Sequence, residues 1–350
     1  MMQMAQEMLS TGTQLLCHKN NLVENGFYDS SHCGEAESES PGKKMILQLY
    51  AVTIILFDIC VLLFRIIYHV CLSIYRCFIP PPMRSVEGEI VLVTGAGHGI
   101  GREISYIYAR LGAKIVCTDL NLETATETAS EIRKHGGQAW AYKCDVSDRH
   151  SVEQTADIIK RSLGNVTILV NNAGIMPCHP FLSWNAKQID QCVDINVKGC
   201  LWVTRAFLPG MIEEKHGHIV SMSSIAGMVG CKNLVPYCAS KYGVVGMMEA
   251  LHEEIRQDSR KLDINFTTVS PFVVNTGLCK KPTVRFPSFT PILGPEAAAE
   301  AIVASQRRNE RLLFIPRHFF YVWKWTRALP FAVDDVIKDF FKTGLEPHDD

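Results

Sequence analysis

The sequence lacks several features that would place it in well-defined classes. Its 35 basic and 36 acidic residues leave a net charge of −1, so it has no excess of positive charge for a nucleic-acid backbone. Its 13 cysteines form no CxxC pair and no Cys/His cluster with zinc spacing. We therefore expect no nucleic-acid partner and no bound metal. The scattered cysteines indicate free thiols in a reducing compartment.

The N-terminal segment has no apolar periodicity. Residues 1–42 are polar, and Ser, Glu and Gly dominate residues 29–42. Such a composition predicts a disordered polar tail. The apolar run that follows begins too late for a secretory signal and is not followed by a small-residue cleavage site.

A long apolar run in residues 43–82 predicts a membrane anchor. Met45–Phe64 is apolar at nearly all of its 20 positions, and about 20 helical residues cross a bilayer core of roughly 30 Å. Asp58 near its middle is costly in a lone spanning helix. From Arg65 to Ile79 the basic side chains share one face, which predicts an amphipathic helix in a headgroup layer before three prolines end it. The alternative is a helix buried in a protein core.

Short apolar strands alternate with helices from Glu89 onward. This alternation predicts an α/β fold with a parallel, doubly wound sheet of the Rossmann type, as a single catalytic domain over residues 83–316. The predicted strands are Ile90–Thr94, Lys114–Asp119, Gln138–Asp145, Val166–Val170, Gly217–Ser221, Asp263–Val269 and Arg311–Ile315. The predicted helices are Gly101–Leu111, Glu123–His135, Ser151–Leu163, Ala186–Pro209, a helix through Tyr237 to Arg256, and Pro295–Arg307.

A glycine-rich turn follows the first predicted strand. It reads Thr-Gly-Ala-Gly-His-Gly-Ile-Gly over residues 94–101, a TGxxxGxG spacing rather than the usual GxGxxG. Glycines let the backbone approach a pyrophosphate, and the helix that begins there points free N–H groups at the anion. Between a strand and a helix, the pattern predicts a nucleotide site, although a glycine triplet by itself also fits a plain turn. The predicted contacts are Thr94, Gly95, Gly99, Ile100 and Gly101.

Acidic residues end the second and third predicted strands. Asp119 lies 18 residues after Gly101, where a carboxylate accepts hydrogen bonds from ribose hydroxyls and repels a 2′-phosphate. This favours NAD over NADP. A basic group such as His98 has the opposite preference, but a mostly neutral imidazole does not outweigh a carboxylate. Asp145 and Val146 fall where the adenine edge is expected. For both aspartates, an ordinary capping or turn role is the alternative.

Three amide side chains follow as candidates. Asn171 and Asn172 close the fourth predicted strand, where they can bridge backbone groups, while Ala173 and Gly174 leave room for a cofactor. Asn196 lies inside a predicted helix, although Asn is a mediocre helix former. It either bends the helix and holds a water molecule, or faces solvent.

Tyr237 and Lys241 are four residues apart and therefore share one face of a predicted helix. A phenol with a pKa of ~10 is a poor acid or base at neutral pH, and a neighbouring ammonium lowers that pKa. The pair can act as a general acid/base, although the same spacing occurs by chance in many helices. Ser224, 13 residues before Tyr237, can hold the oxygen of a substrate carbonyl or alcohol.

In this order the motifs resemble the short-chain dehydrogenase/reductase family over residues 85–315. The resemblance implies that Tyr237 transfers the proton and that Lys241 lowers its pKa and holds the nicotinamide ribose. It implies that Ser224 polarises the substrate oxygen and that Asn196 positions a water molecule. It also implies some finer assignments: the usual 13-residue offset favours Ser224 over Ser221 and Ser223, Thr276 touches the nicotinamide carboxamide, and Pro271-Phe272 departs from the family's Pro-Gly.

The apolar anchor and the proline-rich junction resemble a narrower group, which includes 17-beta-hydroxysteroid dehydrogenases of types 11 and 13 and epidermal retinol dehydrogenase. This resemblance implies NAD-dependent oxidation of a lipophilic alcohol at an endoplasmic reticulum membrane or a lipid droplet. The balance of basic residues around the anchor slightly favours a cytosolic catalytic domain, and the family implies a homodimer. A non-catalytic membrane or lipid-droplet scaffold and an NADPH-dependent carbonyl reductase are the alternatives.

Aromatic residues are concentrated near the C-terminus. The proline-rich loop Thr276–Gly294 holds apolar residues that suit an apolar substrate. Residues 317–350 mix aromatic and basic side chains, which fits a membrane interface. Packing of this segment against the domain or a dimer partner is the alternative.

Overall fold

The computed structural model describes residues 41–279, 282–283, 285–341 and 344–347. Residues 1–40 of the predicted disordered tail therefore lie outside the described residues. The chain divides into two compact units, with the boundary between Ile79 and Pro80.

In the first unit the described residues form the helix α1 (Pro41–Phe78), of 38 residues. At about 1.5 Å per residue it is about 57 Å long, almost twice a bilayer core. The sequence suggested two segments, but no glycine or proline lies between Met45 and Phe78 to break the helix. By length and composition α1 can cross a membrane, and its most apolar stretch has no residues buried inside the protein. The alternative of a buried core helix is therefore wrong.

The second unit is built on a parallel sheet. Among the described residues the sheet has seven strands, in the spatial order β3-β2-β1-β4-β5-β6-β8, and a separate antiparallel pair joins β7 to β9. These strands are β1 (Ile90–Thr94), β2 (Lys114–Asp119), β3 (Gln138–Lys143), β4 (Ile168–Asn171), β5 (His216–Met222), β6 (Asp263–Pro271), β7 (Pro282–Thr283), β8 (Leu312–Ile315) and β9 (Gly344–Leu345).

Helices cover both faces of the sheet, because alternate side chains of each strand enter different cores. Val91 and Val93 of β1 pack in one core, and Leu92 packs in the other. One face carries α2 (Gly99–Arg110), α3 (Leu122–Lys134) and α8 (Pro295–Arg307). The opposite face carries α4 (Arg149–Leu163), α6 (Cys200–Glu214) and α7 (Val235–Gln257). The predicted doubly wound α/β fold is confirmed.

The predicted long helix is interrupted. It consists of α5 (Ala186–Val193), one π-helical turn (Asp194–Gly199) and α6. Pro209 does not end α6 as expected, and the helix runs on until Lys215 adopts left-handed backbone with φ 53°. Single π-helical turns are rare and are found frequently at functional sites.

The strand order reverses between β1 and β4. From this point one half of the sheet runs β1-β2-β3 and the other β4-β5-β6-β8. Because the strands are parallel, the loops after β1 and β4 emerge side by side at the carboxyl edge. In open α/β sheets this crevice is where ligands bind.

The C-terminal segment packs on the same unit through two helices, α9 (Phe319–Arg327) and α10 (Phe331–Phe341). Phe319 stacks on Phe272, with ring centroids 5.0 Å apart, and Phe341 stacks on Phe289 at 5.4 Å. Packing against the domain, which the sequence left as an alternative, is thus present. Other side chains of the segment stay exposed, among them Tyr321, Trp325, Val336 and Phe340.

Candidate active site

The loop between β1 and α2 needs its glycines. Gly95 and Gly99 have φ values of 65° and 55°, which non-glycine residues rarely adopt. A Cβ at Gly101 would collide with the carbonyl oxygen of Gly95, and a Cβ at Gly97 would collide with the Thr124 side chain. Gly97 was missed by the sequence motif, because its requirement comes from a neighbour on α3.

Thr94 and Asn172 join this loop to the one after β4. The Thr94 hydroxyl oxygen accepts hydrogen bonds from the backbone N–H groups of Asn172 and Ala173, both at 3.0 Å. The Asn172 side-chain amide donates to the carbonyl oxygens of Thr94 at 2.9 Å and Gly95 at 3.1 Å. The bridging of backbone groups expected from this motif is therefore present. These hydrogen bonds hold the loops after β1 and β4 together at the carboxyl edge of the sheet.

Asp119 lies at the end of β2, beside the glycine loop. One carboxylate oxygen accepts from the Gly97 N–H at 2.9 Å, and the other accepts from the Asn121 N–H at 3.0 Å. Asp119 therefore makes the capping contacts that the sequence left as an alternative. A carboxylate has about four lone-pair sites, so two remain for ribose hydroxyls.

Asp145 and Val146 lie just after β3 rather than at its end. Asp145 Oδ1 accepts from the Ser147 N–H at 2.9 Å and from the Ser147 hydroxyl at 2.6 Å. This is the ordinary turn role that the sequence left open. Val146 is buried against Gly199, where an added Cβ would lie 2.9 Å from it.

Asn196 lies in the π-helical turn and is fully buried, so the solvent-facing alternative is wrong. Its Oδ1 accepts from the Ile175 N–H at 2.9 Å, and its Nδ2 donates to the Ile175 carbonyl oxygen at 2.9 Å. The same Nδ2 donates to Ser240 Oγ at 3.1 Å. Asn196 therefore fixes the irregular segment that follows Gly174 to the helix that carries Tyr237.

Tyr237 and Lys241 are both buried on the first turns of α7. Lys241 Nζ lies 5.6 Å from the centroid of the Tyr237 ring and donates to the Met222 carbonyl oxygen at 2.9 Å. The Ser224 hydroxyl lowers the pKa of Tyr237, and its Oγ accepts from the Ala226 N–H at 3.2 Å.

The two rival serines are committed elsewhere. Ser221 Oγ accepts from the Asn171 side chain at 3.3 Å. Ser223 Oγ donates to the Lys241 carbonyl oxygen at 3.0 Å. Of the three serines, Ser224 is the one that acts on Tyr237, since it lowers the pKa of the phenol, so Ser224 remains the candidate.

Burial is the largest influence on the pKa values of both Tyr237 and Lys241. Burial raises the pKa of Tyr237, and the hydrogen bond with Ser224 offsets this only in part. Burial also lowers the pKa of Lys241. Burial is therefore the main influence on the Tyr237 pKa in the protein alone, and the lowering of that pKa by Lys241 stays a prediction.

Ser224, Tyr237 and Lys241 line one cavity of about 490 Å³, whereas Asn196, Asp119 and Asp145 are not among its lining residues. Ile100, Asn172, Gly174 and Thr276 lie on its glycine-loop side, and Thr276 is close enough to Gly99 that an added Cβ would lie 3.2 Å from it. A Cβ at Gly174 would lie 3.0 Å from Asn196 Oδ1 and 3.4 Å from Lys241 Nζ, so a larger residue would fill this corner.

The remainder of the cavity is largely apolar. Its walls include Phe272, Phe289, Phe319 and Trp323, and its lining extends to residues of the C-terminal segment. Sequence reasoning missed the contribution of α10 and β9, namely Asp334, Lys338, Phe341 and Leu345. A weak signal was available in the apolar spacing of residues 331–341.

Comparisons with known proteins agree with this geometry. Residues 89–283 match the family model described as short chain dehydrogenase. The chain is 37% identical to 17-beta-hydroxysteroid dehydrogenase 13 of Homo sapiens, over 79% of this chain and 91% of that protein. It is 38% identical to epidermal retinol dehydrogenase 2 of Mus musculus, over 75% of this chain and 85% of that protein. The chain therefore belongs to the short-chain dehydrogenase family, and it is an oxidoreductase of that family.

Solved structures share the fold. A short-chain dehydrogenase/reductase from Burkholderia phymatum in complex with NAD has a TM-score of 0.64 at 23% identity, covering 77% of this chain and 99% of that chain. A metagenomic short-chain oxidoreductase in complex with NADP has a TM-score of 0.55 at 28% identity, covering 66% of this chain and 96% of that chain.

Proposed function

We propose that this protein oxidises a lipophilic secondary or allylic alcohol to the carbonyl with NAD. One observation carries the proposal: Tyr237, Ser224 and Lys241 line a single cavity that is largely apolar and that reaches the glycine loop. The cavity thus has polar catalytic groups at one end and apolar walls elsewhere, which matches an alcohol with an apolar body.

The residues of the crevice fit a dinucleotide. The glycine positions leave space beside the N-terminus of α2 for the pyrophosphate, and Asp119 retains acceptor capacity for the adenosine ribose. The open corner at Gly174 suits the nicotinamide ribose, with Lys241 as its donor and Thr276 near the carboxamide. When bound, NAD supplies the acceptor for the hydride that leaves the substrate carbon.

Tyr237 Oη takes the proton of the substrate hydroxyl as that hydride leaves. Ser224, which lines the same cavity and lowers the pKa of Tyr237, holds the substrate oxygen in line with it. Asn196 acts indirectly, because its side chain binds the Ile175 backbone and the Ser240 hydroxyl and so fixes both beside the reacting groups. We further propose that a water molecule beside Gly174 and Lys241 passes the proton onward from Lys241.

The substrate class follows from the lining and from the relatives. Relatives at 36–38% identity are named for 17-beta-hydroxysteroids, retinol and estradiol. These compounds are rigid or extended apolar bodies with a hydroxyl at one end, and the cavity suits such a body. We propose that the substrate belongs to this class.

A substrate panel tests the function directly. The purified, detergent-solubilised full chain is incubated with retinol, a 17-beta-hydroxysteroid and a long-chain fatty alcohol, and NADH formation is followed. We expect turnover of at least one of them with NAD. No turnover, with NAD still bound, would favour a non-catalytic scaffold, and faster carbonyl reduction with NADPH would favour a reductase.

We also propose that α1 attaches residues 83–316, the catalytic domain, to the endoplasmic reticulum membrane or to lipid droplets. The exposed apolar side chains of α1 support this, since a helix with this much apolar surface is poorly soluble in water. Fractionation of cells that express the full chain or a chain without residues 1–79 tests it. We expect the full chain in membrane or droplet fractions, and an equal distribution of both proteins would contradict the proposal.

A further inference from the structure

A pair of cysteines lies beside Tyr237 and has no role in the mechanism above. Cys231 lies in the loop before α7 and lines the cavity, while Cys238 follows Tyr237 on α7. The Cys231 backbone N–H donates to Cys238 Sγ at 3.4 Å, and Cys238 Sγ lies 4.0 Å from the Cys231 carbonyl oxygen. The two thiols also influence each other's acidity. The pair is therefore in contact, and both cysteines are partly exposed.

The two thiols differ in their acidity. The hydrogen bond from Cys231 lowers the pKa of Cys238, and the Lys338 ammonium at the cavity wall adds to this. The same bond, together with burial, raises the pKa of Cys231. By contrast, burial raises the pKa of Cys279, another cysteine that lines the cavity, to about 11. Cys238 is therefore suited to attack as a thiolate, with Cys231 as the second thiol.

We propose that Cys231 and Cys238 form a reversible disulfide on exposure to hydrogen peroxide, and that this disulfide lowers dehydrogenase activity. The Cys238 thiolate attacks one peroxide oxygen, the O–O bond breaks, and the leaving hydroxide takes up a proton to become water. Cys231 sulfur then attacks the sulfenic sulfur of Cys238, the S–O bond breaks, and a second water leaves with the Cys231 proton. The two thiols lose two electrons in total, and the peroxide is reduced to two waters.

The disulfide would act on activity through the position of Tyr237. Formation of an S–S bond of about 2.05 Å requires the two unbonded sulfur atoms to move toward each other. This movement draws the loop that carries Lys232 and Leu234, both of which line the cavity, toward α7. A displacement of about 1 Å near reacting groups can cost about 100-fold in rate. We expect kcat/KM to fall at least about tenfold on oxidation, and this part of the inference rests on the proposed function.

The sequence offers a direct assay. Trypsin cleaves after Lys232, so Cys231 and Cys238 fall in separate peptides, 216–232 and 233–241, each with one cysteine. The full chain is oxidised with hydrogen peroxide, its free thiols are alkylated, and it is digested without reductant. We expect a cross-linked peptide pair by mass spectrometry, which disappears after dithiothreitol while activity returns.

Cys231→Ser and Cys238→Ser should each abolish the cross-linked pair and the dithiothreitol-reversible loss, with each variant compared with its own reduced form. Cys279→Ser is the matched control and should retain both. Recovery of the two peptides in alkylated form after oxidation would overturn the inference, and so would a cross-link that leaves activity unchanged. A cross-link in a protein that oxidises no alcohol would support the thiol site and contradict the proposed function instead.

Discussion

Replacement of Asn196 by alanine should lower the free energy of unfolding as well as the activity of the protein. Asn196 satisfies both the N–H and the carbonyl oxygen of Ile175, each at 2.9 Å, from a fully buried position. Each buried backbone group that loses its partner costs about 1–3 kcal/mol. Because Ile175 itself is partly exposed, we take the lower half of the summed range and expect about 2–4 kcal/mol.

The assay is urea unfolding of the detergent-solubilised protein, followed by intrinsic fluorescence. Asn185→Ala is the matched control, because Asn185 caps α5 from an exposed position and such a cap is worth about 1 kcal/mol. The free energy of unfolding should fall clearly further for Asn196→Ala than for this control. Equal losses would refute the reasoning that Asn196 ties Ile175 to α7.

Further predictions concern the cofactor preference, Tyr237 as the general base, and the stability of the protein at low pH. Asp119→Ala should lower the kcat/KM ratio of NAD to NADP at least about fivefold, because one repulsive charge is removed, and an unchanged ratio would count against its ribose role. Because burial raises the pKa of Tyr237, log kcat/KM for alcohol oxidation should rise by about one per pH unit between about pH 6 and 9, whereas a flat profile would contradict Tyr237 as base. Burial lowers the pKa of His218 to about 3, so the unfolded chain binds a proton that the folded protein does not. Stability should therefore fall by up to about 1.4 kcal/mol per unit below pH ~6.5, and His218→Gln, unlike the exposed His150→Gln, should flatten this decline.

The sheet could be predicted closely because its signal is local. The bounds of β1 and β2 agree with the predicted strands, since each apolar run ends at a polar residue that makes specific contacts. Thr94 binds the loop after β4, and Asp119 caps the glycine loop. The long helix was less predictable. Its π-helical turn is stabilised by the contact of Asn196 with Ile175, which no local spacing reveals.

The site could be predicted only on its catalytic side. Ser224, Tyr237 and Lys241 line one cavity, as the motif order suggested. The apolar wall from α9 and α10 depends on long-range ring stacking, such as Phe319 on Phe272, and has no motif. The burial that raises the pKa of Tyr237 was not foreseen, because burial, unlike spacing, is not visible in a sequence.

In the proposed reaction, Tyr237 accepts the substrate proton beside a bound nicotinamide. The most direct test compares Tyr237→Phe with the wild-type chain, measuring turnover of an alcohol found by the substrate panel and NAD affinity in the same preparation. We predict that turnover falls by at least about 100-fold, the lower limit for loss of a general base, while NAD affinity changes little. Turnover within about threefold of the wild type would contradict the claim, because no general base contributes so little.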